Sequence, residues 1–199
     1  MADTTYTDNT TPITADTMND LNRLHYTILG DPATLAALKT TLNCIQIGTP
    51  QAATSGTSID FTSIPAGTKR ITVNFTGISS SGTDVYLVQL GDSGGVENSG
   101  YLGAGVEIIG GTSLQASTGF PIGSTMAAAG THSGAVILTL ENSSSNKWTC
   151  IGLVARADAV QVKATGGWKA LTGTLDRVRI TTLNGTDTFD AGEFNITYE

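Results

Sequence analysis

The sequence predicts a mainly β protein, a jelly-roll-like antiparallel β-sandwich head preceded by a short N-terminal α-helical stalk or attachment segment. Three observations predict it. Threonine fills about a sixth of the 199 positions and only 14% are charged, a composition that leans to strands. After Ile45 the apolar residues recur with a period of two, as Ile71, Val73 and Phe75 do between Arg70, Thr72, Asn74 and Thr76. These runs are short and separated by Gly, Ser, Asn and Pro, the punctuation of a sandwich or barrel.

In chain order, residues 1–10 lack apolar periodicity and read as a tail. From Thr14 the period becomes helical. Thr14 can cap, Asp16 favours the positive end of the helix dipole, and Met18, Leu21, Leu24, His25 and Ile28 share one face up to Gly30. Asp31-Pro32 starts a second helix with a capping side chain and a proline at the first helical position, and Leu35, Leu38 and Leu42 form its stripe. Helices this short are marginal alone, so both stripes need a partner: the β region, copies of themselves, or a docking protein. Residues 1–44 and 45–199 are therefore expected to be separate units.

Nine strands are expected in the second unit: 58–62, 70–76, 85–90, 106–109, 135–140, 147–155, 160–164, 175–183 and 193–198. Pro65-Ala66-Gly67, Ser79 to Gly82, Asn142 to Asn146 and Asn184-Gly185 supply turns, the last with the signature of a tight hairpin. Residues 110–134 carry small residues without a period and read as a long loop, functional or disordered. No strand and long-helix alternation follows Ile45, which excludes a nucleotide-binding α/β fold.

The net charge is −7 and the ten Lys and Arg are scattered, so no basic stripe follows a phosphate backbone, and neither nucleic acid nor an anionic membrane is an expected partner. No apolar run approaches the ~18 residues of a membrane span, and no signal-like leader opens the chain, so synthesis in the cytoplasm is expected. Cys44 and Cys150 lie far apart, and Cys150, in an apolar segment, reads as a buried free thiol. No cofactor is expected.

Gly91-Asp92-Ser93-Gly94-Gly95 spells the surroundings of the chymotrypsin-like nucleophile. A nucleophilic Ser93 needs a histidine base and a carboxylate to orient it, and the chain has only His25 and His132. His25 sits on a predicted helix, His132 follows the serine in the chain, and the pentapeptide leaves a strand for a loop rather than entering a helix as a nucleophile elbow does. The preferred reading is a turn in which Asp92 or Ser93 bonds back to the backbone and Gly94 and Gly95 accept positive φ. No catalytic residue is assigned. Asp187, Asp190 and Glu193 could gather round a cation but lack the ligand pattern of a calcium loop, and read as solvated turn acids. Trp148, alternating with Cys150 and Gly152, is expected in the core, while Tyr101 and Trp168, each beside a glycine, are expected to be exposed.

Two segments carry a resemblance. TPITADTMNDLN, continuing to Tyr26 and LGDPATLAALKTTLN, is similar to the leader of many tailed-phage tail fibre and tailspike proteins. SGTSIDFTSIPAGTKRITVNFTGISSSGT, QLGDSGGVENSGY and LDRVRITTLNGTDTFDAGEFNITYE resemble a β domain of phage and prophage tail proteins. Where many such leaders carry a tryptophan this chain has Thr17 or Met18, and the long repetitive shaft of a tailspike is missing, so depolymerisation is not implied. The resemblance implies a virion appendage, a homotrimer whose residues 1–44 attach to other virion proteins and trimerise through the stripes of Met18, Leu21, Leu24, His25, Ile28, Leu35, Leu38 and Leu42. Residues 45–199 would then recognise a host-surface glycan or protein, with Asp92, Ser93, Asn98, Tyr101 and Trp168 as candidate contacts. The alternative is a capsid or tail decoration or adaptor without receptor binding.

Overall fold

A computed structural model describes residues 45–199, a unit built of strands. The two predicted helices, their stripes and Cys44 lie outside the described residues. The strands are β1 (Gln46–Ile47), β2 (Gln51–Ala52), β3 (Ser58–Phe61), β4 (Arg70–Ser80), β5 (Tyr86–Asp92), β6 (Gly95–Val96) and β7 (Leu102–Glu107), followed by β8 (Ser113–Ala116), β9 (Phe120–Pro121), β10 (His132–Asn142), β11 (Lys147–Arg156), β12 (Gln161–Ala170), β13 (Arg177–Thr182) and β14 (Phe189–Tyr198). Every pairing among them is antiparallel.

They form two sheets. Sheet A runs β1-β14-β4-β10-β11-β12-β7-β8, with β2 also on β14, and sheet B runs β3-β13-β5-β6, with β9 also on β5. The period of two explains their stacking: Ile71, Val73 and Phe75 of β4, Val136 and Leu138 of β10, and Trp148 and Cys150 of β11 share one core with Val88 and Leu90 of β5 and Val178 and Ile180 of β13. Trp148 is in that core as expected. Burial pushes the Cys150 thiol up to about 12.

Each of the nine expected strands has a counterpart, with shifted ends. β12 runs on past Ala164 to Ala170, and β7 starts at Leu102 rather than Val106 because its inward positions are Gly103 and Gly105, which carry no hydrophobic signal. Glycine is needed at Gly105, since a Cβ there would lie 2.6 Å from the Pro121 carbonyl oxygen.

That close approach belongs to the segment expected to be a long loop. It leaves β7, pairs on sheet A as β8, crosses to β5 of sheet B as β9, and buries Phe120 and Ile122 completely. The strap closes one side of the sandwich, and its small residues let it run close to the strands beneath. A cross-strand ion pair holds it: Lys163 Nζ lies 2.6 Å from Glu107 Oε1 and donates to the Thr125 carbonyl at 2.5 Å, with both side chains almost fully buried. The Ser124 and Thr125 amides also donate to Glu107.

Asn184-Gly185 forms a turn but not a hairpin, because β13 and β14 belong to different sheets. Gly185 has φ +70°, Asn184 Oδ1 accepts from the Thr186 amide, and the crossing chain is tied down where Asp187 accepts from the Asp84 amide and Asn184 Nδ2. The loop-tip chemistry is that of a tight turn, whereas the destination of the next strand is set by the core-facing Phe189 and Phe194, which stack edge to face.

Candidate functional site

The GDSGG pentapeptide is a two-residue β-hairpin. Asp92 pairs with Gly95 across Ser93-Gly94, and the Asp92 carboxylate accepts from the Gly94 amide at 2.8 Å. Gly95, at φ +127°, takes the left-handed conformation, while Gly94 does not. Gly91 is required for a different reason: a Cβ there would collide with the Gly95 carbonyl of the returning strand. Ser93 is exposed at the tip. His132 is buried, stacks edge to face on Tyr86 at 5.5 Å, and has Nδ1 3.3 Å from the Ile78 carbonyl oxygen. Tyr86 and Ser93 are seven residues apart along β5 and its turn, about 23 Å of extended chain, so Ser93 and His132 form no nucleophile–base pair.

Two candidate contacts serve the architecture instead. Tyr101 is 1% exposed, correcting the expectation of an open ring. Its hydroxyl accepts from the Leu90 amide at 2.7 Å and donates to the Glu97 carbonyl at 2.9 Å, and its ring meets Phe120 edge to face. Asp92 is also buried, since the Thr172 hydroxyl stands 2.9 Å from its Oδ2 and 2.8 Å from Glu97 Oε1. The Gly94 amide, followed by the Thr172 hydroxyl, holds the Asp92 carboxyl below its ordinary range. Lys169, 2.5 Å from Glu97, completes this clamp. The loop is thereby fixed between β5 and the turn after β12.

The remaining candidates point different ways. Trp168 is on the outer face of sheet A, 38% exposed, with Lys147 Nζ 4.7 Å above its ring. Asn98 lines a groove of about 350 Å³ on the outer face of sheet B. The acids Asp187 and Asp190 accept from separate partners, Asp84 and Ser79 respectively, and no cluster of three metal-ligating side chains occurs among the described residues.

The groove has a volume at the lower end of the ~300–1,000 Å³ range of small-ligand pockets. Strand phase builds it. Val178 and Ile180 of β13 enter the core, so Arg179 and Thr181 face out, beside Ser58 of β3 and Leu87 and Gln89 of β5. The loop after β6 adds Asn98 and the turn after β13 adds Asn184. Asp60 grips Arg179 with two bonds of 2.6 Å, from Nε and Nη2, which fixes the guanidinium plane at the groove wall. Gln89 donates Nε2 to the Thr118 carbonyl of the strap, so its Oε1 remains an acceptor. Leu87, Val96 and Leu183 give the groove an apolar lining between these polar groups.

No protein-family model, curated protein or solved structure matches the chain. The groove therefore carries the functional reading on its own chemistry. Of the five candidates only Asn98 reaches it. Arg179 and Thr181 were within reach of sequence reasoning, because Val178 and Ile180 fix which side of that strand is wet. Ser58, Gln89 and Asn184 were not, since their convergence depends on the order β3-β13-β5, which no local pattern encodes.

Proposed function

We propose that the protein is a phage virion appendage, a short tail fibre or fibre-like homotrimer, whose jelly-roll-like head binds a host-surface glycan in the groove on sheet B. The observation that carries the ligand class is the groove's mixture of a fixed guanidinium, amides and hydroxyls around small apolar surfaces. Such a surface matches alternating hydroxyl and C–H faces of a sugar. The similarity of residues 11–43 to fibre leaders supports attachment of the N-terminal segment to other virion proteins. Repeated weak sites on one particle would gain avidity through linkage, so a single groove need not bind tightly.

The test is binding of the purified full chain to isolated host-surface polysaccharide. Arg179→Ala and Asn98→Ala are expected to weaken binding about tenfold each, as loss of one to two oriented hydrogen bonds does, while Ser93→Ala, at the exposed hairpin tip outside the groove, leaves it unchanged. Equal binding by all three variants would remove the groove from the proposal. If particles lacking residues 45–199 adsorbed to host cells normally, the decoration or adaptor reading would replace receptor binding.

A further inference from the structure

The outer face of sheet A has the wrong chemistry for a surface in water. An antiparallel sheet with one wet face alternates apolar and polar residues. Sheet A obeys this at its flanks, where β4 presents Arg70, Thr72 and Asn74 and β8 presents Ser113 and Gln115. Between those flanks the middle of the four strands β10, β11, β12 and β7 does not, polar side chains returning at the row of Thr139, Thr149 and Trp168, where Lys147 lies over the indole. Register aligns Ile137 with Ile151, Ala135 with Leu153, Leu153 with Ala164, Ala164 with Val106, and Trp168 with Leu102. Ile151 is 66% exposed, Leu153 56% and Leu102 54%. At one end Ile108, Ile109 and Val160, all exposed, continue the patch.

We propose that this face is where the C-terminal units of separate copies of this chain meet. The proposal builds on the oligomeric reading above and assigns it a surface. Three observations select another copy as the occupant. The first is charge: each copy carries −7, so copies repel except where a face lacks charge, and the outward positions in the middle of these four strands have none. The second is size. The patch spans four strands and up to nine residues along them, about 15 by 30 Å, the apolar centre of an interface whose standard size is ~800 Å² per partner, with the flanking strands as its polar rim. The third is relief: the ridge of Ile151 and Leu153 lies beside a trough at Gly166, Ala164 and Ala104, so one copy offers both the knobs and the holes that another needs. A sugar would find few hydrogen-bond partners here, and an anionic lipid surface would repel the chain.

The chain contains its own reporter. Its two tryptophans are Trp148, 2% exposed in the core, and Trp168, on the patch. Acrylamide quenching of the full chain therefore reads the cover over this face, with Trp168→Phe defining the contribution of Trp148 alone. Light scattering on the same samples gives the assembly mass, and far-UV circular dichroism checks that Ile151→Lys/Leu153→Lys, at exposed positions, keeps its fold.

An oligomer with Trp168 shielded, and a severalfold rise in quenching in the lysine variant, is the expected result. An oligomer in which Trp168 is quenched equally in wild type and variant would overturn the assigned face and leave the oligomeric reading standing. A monomer at every concentration would overturn both.

Discussion

Lys163 and Glu107 should be coupled far more strongly than any other ion pair described here. The perturbation is removal of one partner. Lys163→Met leaves a carboxylate whose side chain is 5% exposed, and Glu107→Met leaves an ammonium 1% exposed with only the Thr125 carbonyl to receive it. Stranding one charge of a buried pair costs about 3–5 kcal/mol. For a chain of this size each kcal/mol moves the melting midpoint by roughly 2–4 °C, so either single variant should melt roughly 6–20 °C below wild type. Lys163→Met/Glu107→Met removes both charges together and should recover most of that loss, giving a coupling of at least about 2 kcal/mol. The assay is urea and thermal denaturation of the four proteins in one buffer. The reasoning fails if either single variant costs under about 1 kcal/mol, or if the double variant loses the sum of the two singles. Direction of ionisation agrees with this reading: burial pushes Glu107 up, but the Lys163 ammonium and the Ser124 and Thr125 amides outweigh it and hold the carboxyl low.

Burial pushes His132 below its ordinary range, and nearby Lys163 and Arg156 push the same way. The unfolded chain therefore takes up the proton first, and stability present above about pH 6.5 is lost as pH falls below it; urea midpoints at pH 7.5, 6.5 and 5.5 should show this fall, and His132→Phe should flatten it. The depressed carboxyls of Asp92, Glu97 and Glu107 act lower, through losses that begin only near pH 4, which separates them from the histidine. Tyr101→Phe should cost about 1–3 kcal/mol in urea titration by leaving the Leu90 amide without its acceptor, and an unchanged midpoint would argue that water replaces the hydroxyl. Cys150, its thiol pushed up to about 12, should resist alkylation at pH 8 until the chain is unfolded, as peptide mass mapping would show.

Strand phase was the legible part of this fold. Ile71, Val73 and Phe75 announced β4 and its buried side, and Trp148 and Cys150 did the same for β11. Tyr101 was misread because its neighbour Gly100 resembles turn chemistry, whereas its place is decided by the Leu90 and Glu97 backbone groups that its hydroxyl joins. Lys163 and Glu107 look like surface residues in any window of sequence. They are a pair only because β12 and β7 are neighbours at that register. The strap defeated periodicity for a related reason: Phe120-Pro121 is too short a strand to have a period, and its burial depends on glycines some fifteen residues away. For the site, the turn at Ser93 was legible, but the groove joins residues of β3, β5, β6 and β13 with those of the loops around them, and only topology brings those together.

The alternation along β13 separates two kinds of constraint at single-residue spacing. Val178 and Ile180 answer to the core, while Arg179 and Thr181 answer to whatever the groove meets. Sequence drift at Arg179 therefore carries little folding penalty provided that Asp60 changes with it, whereas Thr181, buried and donating to the Thr57 carbonyl, also holds the groove wall in place. A lineage could revise this surface by trading the Asp60–Arg179 pair as a unit while Val178 and Ile180 keep the strand in the core.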